Sequence, residues 1–164
     1  MNISFSNVEY SKHGREWIVG DDLSVVSKAD LRWYYFLGRL SISVSGKEMG
    51  PPWGWVPLFD AFCCIQQVMI FAQGGDALGR IDFTENDEFI SFEFEGDDLR
   101  VTPTYMEGQL FCSVADFVTA GSEFIRDELS TRVDAHPSLA RNPSVRSLAM
   151  EVGLRLPGDS SEIS

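Results

Sequence analysis

Ile3 and Phe5 alternate with Ser4 and Ser6, the two-residue period of a strand with one buried face. The same period returns in Leu40-Ser41-Ile42-Ser43-Val44-Ser45, aliphatic on one side and serine on the other. It predicts a strand whose second face is wet or lightly covered. Between these two, Ser11 to Glu16 reads as a polar turn around Gly14. Trp17 to Val19 and Leu23 to Val26 read as short β-prone pieces, followed by an aromatic-rich stretch, Leu31 to Phe36. Lys47 to Trp55 holds Gly50, Pro51, Pro52 and Gly54, a density of breakers that predicts a loop.

Pro57 suits the first turn of a helix, where a missing N–H costs nothing. The helix is expected over Pro57 to Gln73, stopped by Gly74-Gly75. Leu58, Phe59, Phe62, Ile65, Met69 and Ile70 cover most of its circumference, so it should be buried. Strands follow at Arg80 to Thr84, Phe89 to Glu95 and Leu99 to Thr102, with polar turns at Glu85 to Glu88 and Gly96 to Asp98. Pro103 marks a strand end, and Gln109 to Cys112 suits a further strand. Ser113-Val114-Ala115-Asp116 is a capping signature that opens a second helix running to about Val133, in which Gly121 suggests close packing. Asp134 to Asn142 reads as a loop, and Ser144 to Val152 as a third helix after Pro143. These elements predict an α+β fold: a mostly antiparallel sheet with one buried helix and two C-terminal helices packed on one face. One domain is expected over residues 1–156, with 157–164 a disordered tail.

A chain of 164 residues, 44% hydrophobic and 23% charged, suits one soluble globular domain. The charge changes the picture: 13 basic against 25 acidic side chains leave −12. Such a chain repels nucleic-acid phosphates and an anionic membrane leaflet, so neither is expected as a partner. It favours basic proteins. Three cysteines, with no CxxC and no zinc-like Cys/His spacing, suit a reducing compartment. Met1 to Tyr10 lacks a basic region followed by an apolar core, and a cytoplasmic location is expected.

The chemistry concentrates in one stretch. Asp82, Glu85, Asp87, Glu88, Glu93, Glu95, Asp97 and Asp98 fall within 17 residues that contain no basic side chain. Strand parity places Glu93 and Glu95 opposite Phe92 and Phe94, with Asp82 joining them in the natural register. Such a face would attract a basic protein; the alternative is a solvated, aggregation-resistant strand. Trp53 and Trp55 lie in the stiff Gly-Pro loop as possible binding anchors, or as covers for the start of the first helix. Trp33 and Trp17 are expected in the core. No calcium-loop pattern, nucleophile elbow or phosphate-binding glycine motif occurs, and only His13 and His136 are available as bases. No catalytic residue, metal or cofactor is therefore expected.

Leu37-Gly38-Arg39-Leu40-Ser41-Ile42, the Trp55-Val56-Pro57-Leu58 entry to a buried helix, and the acidic hairpin with Glu85-Asn86-Asp87-Glu88 give the chain a resemblance. It resembles the small acidic immunity proteins of bacterial polymorphic toxin systems. The resemblance implies a non-enzymatic cytoplasmic inhibitor that caps a toxin, often a basic nuclease. It implies no particular contact residue. The alternative expectation is a small enzyme or ligand-binding domain, with a pocket between sheet and first helix lined by Phe62, Phe92 and Trp55.

Overall fold

Where the chain alternates, it pairs. In the computed structural model, which describes residues 1–7, 22–84 and 86–158, β1 (Asn2–Asn7) runs antiparallel to β2 (Leu37–Val44). Ile3 stands opposite Ile42 and Phe5 opposite Leu40, so the aliphatic faces coincide. Ser45 and Gly46, both at positive φ, turn β2 tightly into the two-residue β3 (Lys47–Glu48). The other end of β2 pairs with β4 (Val56–Pro57). The predicted loop over Lys47 to Trp55 is thus shortened by a brief strand at its start. A second sheet is a meander in chain order: β5 (Leu78–Asp82), β6 (Phe89–Glu95), β7 (Asp98–Pro103) and β8 (Leu110–Ser113).

The fold is α+β with two four-stranded antiparallel sheets, which corrects the expectation of a single sheet. The breaker-rich segment and the long helix after it divide the strands into two sets, each closed by its own hairpins.

Four helices complete the described residues. α1 (Lys28–Tyr34) occupies the aromatic-rich stretch and was not legible as a helix; Ser27 caps it, accepting from the Asp30 amide at 3.0 Å. The preceding Leu23 to Val26 is a turn rather than a strand. Buried Asn142 explains why: its amide donates to the Leu23 and Val26 carbonyls at 2.8 and 3.0 Å, taking acceptors a strand would need. α2 (Leu58–Gly74) starts one residue later than expected, with Pro57 as its N-cap and in β4. Gly75 ends it in the left-handed region at φ 80, a conformation costly for any residue with a Cβ. α3 (Val114–Ala135) is capped by Ser113, whose oxygen accepts from the Asp116 amide at 3.0 Å, as its sequence signature predicts. The expected loop before α4 (Pro143–Glu151) contains a 3-10 turn at Pro137–Arg141.

The core is one hydrophobic cluster drawing on both sheets and all four helices. Phe62 of α2 meets Phe124 of α3 edge-on at 5.5 Å, and Phe92 of β6 lies 5.2 Å from Phe117. Each such fully buried ring contributes about 2–3 kcal/mol. Gly121 permits the close contact of α2 and α3, because a Cβ there would stand 2.6 Å from the Met69 sulfur. Ile70, expected inside, is 58% exposed. Trp33 is only half-buried. No helix among the described residues is long and apolar enough to cross a membrane. Pro157 and Gly158 form an exposed turn; the rest of the expected tail, Trp17 with its β-prone piece, the turn around Gly14, and His13 lie outside the described residues.

Candidate functional site: the open face of the second sheet

Parity divides the second sheet. Ile81, Ile90, Phe92, Leu99 and Val101 point inward and are buried to 2% exposure or less. The opposite parity builds a face that no core contact explains. One row crosses all four strands: Leu78, Glu93, Arg100 and Phe111 are successive register partners. Leu78 is 58% and Phe111 66% exposed, so the row is an ion pair, Arg100 to Glu93, with an apolar side chain at each end. The next row holds Glu95, Asp98 and Ser113. These two rows line a shallow concavity of about 860 Å³.

The expected acidic face is therefore real in position but mixed in charge. Asp82 does share the face with Glu93 and Glu95, yet Arg80 binds it at 2.5 Å while lying 3.6 Å over the Phe89 ring. Arg100 neutralises Glu93 from the facing strand. Both arginines stand just outside the base-free stretch: the hairpin register brings Arg100 back, and Arg80 reaches Asp82 along its own strand. Glu88 accepts from the Thr104 hydroxyl, and Asp87 is exposed at the β5–β6 turn. Glu85 lies outside the described residues.

The uncompensated charge sits at the other end. Glu95 stands directly opposite Asp98, with Asp97 in the turn between them, and none has an ion-pair partner among the described residues. Like charges facing across an antiparallel pair are destabilising by a few tenths of a kcal/mol.

The two tryptophans do not join this group. Trp53 packs edge-on against Phe83 and Tyr105 at 5.0 and 5.2 Å, at the far end of the sheet from the Glu95 row. Seven residues of β6 separate the two ends, about 20 Å. Trp55 precedes β4 and is 56% exposed. Trp53 thus bridges toward the end of β5 and the segment after β7. Leu78, Arg80, Arg100 and Phe111 are the face residues that sequence reasoning missed. The signal was present in Leu110-Phe111-Cys112, where alternation must turn one of two large side chains outward.

Of the residues expected to line a pocket between sheet and first helix, Phe62 and Phe92 are at 0% exposure in the packed core, while Trp55 is 56% exposed. A separate cleft of about 270 Å³ instead opens between α1, α2 and α4. Burial pushes the Cys64 thiol up to about 12, and raises Cys63 and Cys112 as well. Thiols held protonated are poor nucleophiles. Burial, then Arg132, pushes His136 below its usual value. Among the described residues no three His, Cys, Asp or Glu side chains converge as a metal site.

The architecture thus defines an α+β protein whose second sheet carries an open, mixed-charge face. Compared with protein-family models, curated protein sequences and solved structures, the chain matches none of them.

Proposed function

We propose that the protein is a non-enzymatic binding module that docks a basic protein partner on the open face of the second sheet, as an immunity-type inhibitor occludes a toxin. The observation that carries this reading is the Glu95–Asp98 row, a like-charged pair without a counter-ion, set beside exposed Leu78 and Phe111. A lysine or arginine of the partner placed between the two carboxylates would relieve their repulsion. Leu78 and Phe111 would lose water on docking and supply affinity, while the acids would mainly speed encounter. The Glu93–Arg100 pair lies between the two apolar anchors and can fix the partner's register.

The test begins with tagged protein in lysate of its native cells, washed from about 0.01 M to about 1 M salt, where the screening length falls from roughly 30 to 3 Å. A retained basic protein is then made recombinantly and titrated against variants. Glu95→Lys/Asp98→Lys should weaken association at least tenfold at low salt and much less at high salt. Phe111→Ala should weaken it about tenfold at both. Full affinity in both variants would remove this face from consideration.

A further inference from the structure

An edge strand leaves half of its peptide groups without a neighbour, and a protein must cover them, charge them or pair them. In β5 the sorting can be read from the hydrogen bonds. The Phe94 amide donates to the Ala77 carbonyl at 2.9 Å and the Phe83 amide to the Glu88 carbonyl at 3.1 Å. Gly79 and Ile81 therefore turn their peptide groups toward β6. Those of Leu78, Arg80 and Asp82 point away from the sheet, with no partner among the described residues. Gly74 to Leu78 are exposed without a break, and Arg80 and Asp82 are exposed too.

The other edges differ. On β1, Ile3 and Phe5 are only 6% and 9% exposed. β3 has two residues. Beside β8, the Gln109 carbonyl accepts from Lys47 at 3.1 Å, and Cys112 lies 3.8 Å from the Met1 sulfur. β8 also continues the acidic row, since Ser113 stands opposite Asp98. β5 combines length, exposure and balanced charge, because Arg80 and Asp82 neutralise each other along the strand at 2.5 Å. In a chain of net charge −12, two copies repel, and a contact between them needs a strip that adds no like charge.

A strand paired antiparallel with its own copy is self-complementary about a two-fold axis. Charge selects the register. Arg80 opposite the partner's Arg80, or Asp82 opposite the partner's Asp82, faces like charges. Leu78 opposite the partner's Arg80 leaves Asp82 facing beyond the partner's strand. Arg80 opposite the partner's Asp82 faces unlike charges twice, once on each side of the axis. Each carboxylate then lies between two guanidiniums, and the ion pair within each strand need not break.

We propose that two copies of the chain pair through β5 in this register, joining their meanders as one eight-stranded antiparallel sheet. About four backbone hydrogen bonds form across the seam, two in each facing pair. The axis sets the two Glu95–Asp98 rows at opposite ends of the joined sheet, which keeps the unpaired acids apart.

Sedimentation velocity of the full chain should show a dimer and nothing larger, with a Kd on the order of 0.1 mM, as a small seam provides. Raising salt from about 0.05 M to about 0.5 M should strengthen it severalfold, because screening relieves the repulsion between acidic chains. Salt acts in the opposite sense on a basic partner at the sheet face, so the two readings fail separately. Arg80→Glu should weaken the dimer about tenfold, since two favourable facings become unfavourable. Arg80→Asp/Asp82→Arg keeps the pair within each strand and the unlike facings across the seam, and should restore the dimer, with its melting temperature reporting that β5 is intact. In hydrogen exchange the Arg80 and Asp82 amides should slow on dimerisation, while those of Gly79 and Ile81, already bonded to β6, should not. A chain that stays monomeric at about 1 mM in both salts would overturn the proposal. So would a dimer indifferent to Arg80→Glu, or protection of the Arg80 and Asp82 amides only when a different protein is added.

Discussion

The open sheet face and the helical cleft are opposite solutions to exposing apolar surface. The sheet face is broad and wet, and its two apolar side chains, Leu78 and Phe111, stand at the ends of a row with an ion pair between them. The cleft is a third of the size and keeps its apolar groups at the bottom, with charge confined to the walls. On a wide face with separated anchors and a row of unpaired acids, the proposed partner would bring its own cations. The narrow cleft instead keeps Arg32 beside its own counter-ion, Asp60. Charge therefore does different work in the two places. At the Glu95 row it is in excess, whereas on α1 the Arg32 guanidinium is balanced by Asp60 and held over Trp33.

The sharpest way to break this contrast is to remove one ring from each side of the second sheet. Phe92→Ala should cost about 4 kcal/mol in urea unfolding, because a fully buried ring leaves a cavity. Phe111→Ala should stay within about 0.5 kcal/mol. A large cost for Phe111 would mean that the outer face belongs to the fold and not to a partner. The next effect in size concerns the cleft. Asp60→Ala strands the half-exposed Arg32 guanidinium without its partner and should cost about 2–3 kcal/mol by the same method, while binding at the Glu95 row stays intact. Coupled loss at both surfaces would show that they are one unit.

The smallest effect is on pH. His136 is held neutral by burial and by Arg132, so its folded value lies below the usual 6.5. The unfolded chain then takes up the proton first as pH falls. The stability this histidine contributes is complete above about pH 6.5 and is lost as pH drops toward the lowered folded value. The difference in unfolding free energy between the natural chain and His136→Gln should follow that direction between roughly pH 7 and pH 5. A flat difference would place the ring in free solvent, against its 5.4 Å contact with Phe36.

Elements whose signals are local were legible. Ser113 and Asp116 announce α3 because the cap is made within four residues, and Ile90, Phe92 and Phe94 announce β6 because the pleat alternates every residue. α1 escaped because it is seven residues long and its neighbourhood is decided by Asn142, more than a hundred positions away. The division into two sheets escaped for the same reason, since strand partners are chosen across the fold. At the candidate site the acids could be read along the strand, but their neutralisation could not. Arg100 meets Glu93 only through the hairpin register, and Arg80 reaches Asp82 along β5 from just outside the base-free run. The cleft was invisible because its walls come from three helices, one of them unforeseen.

The two sheets also differ in how far the chain must travel to make them. Every pairing in the second sheet joins neighbours in sequence, whereas β1 finds β2 across about 35 residues, from Asn2 opposite Ser43 to Asn7 opposite Gly38. Closing that long loop costs entropy before any contact rewards it. The meander should therefore assemble early in folding and the first strand dock late. In hydrogen exchange, the amides of β1 should open more readily than those of β6 and β7. A newly made chain would then carry its open face before its N-terminus has found its place.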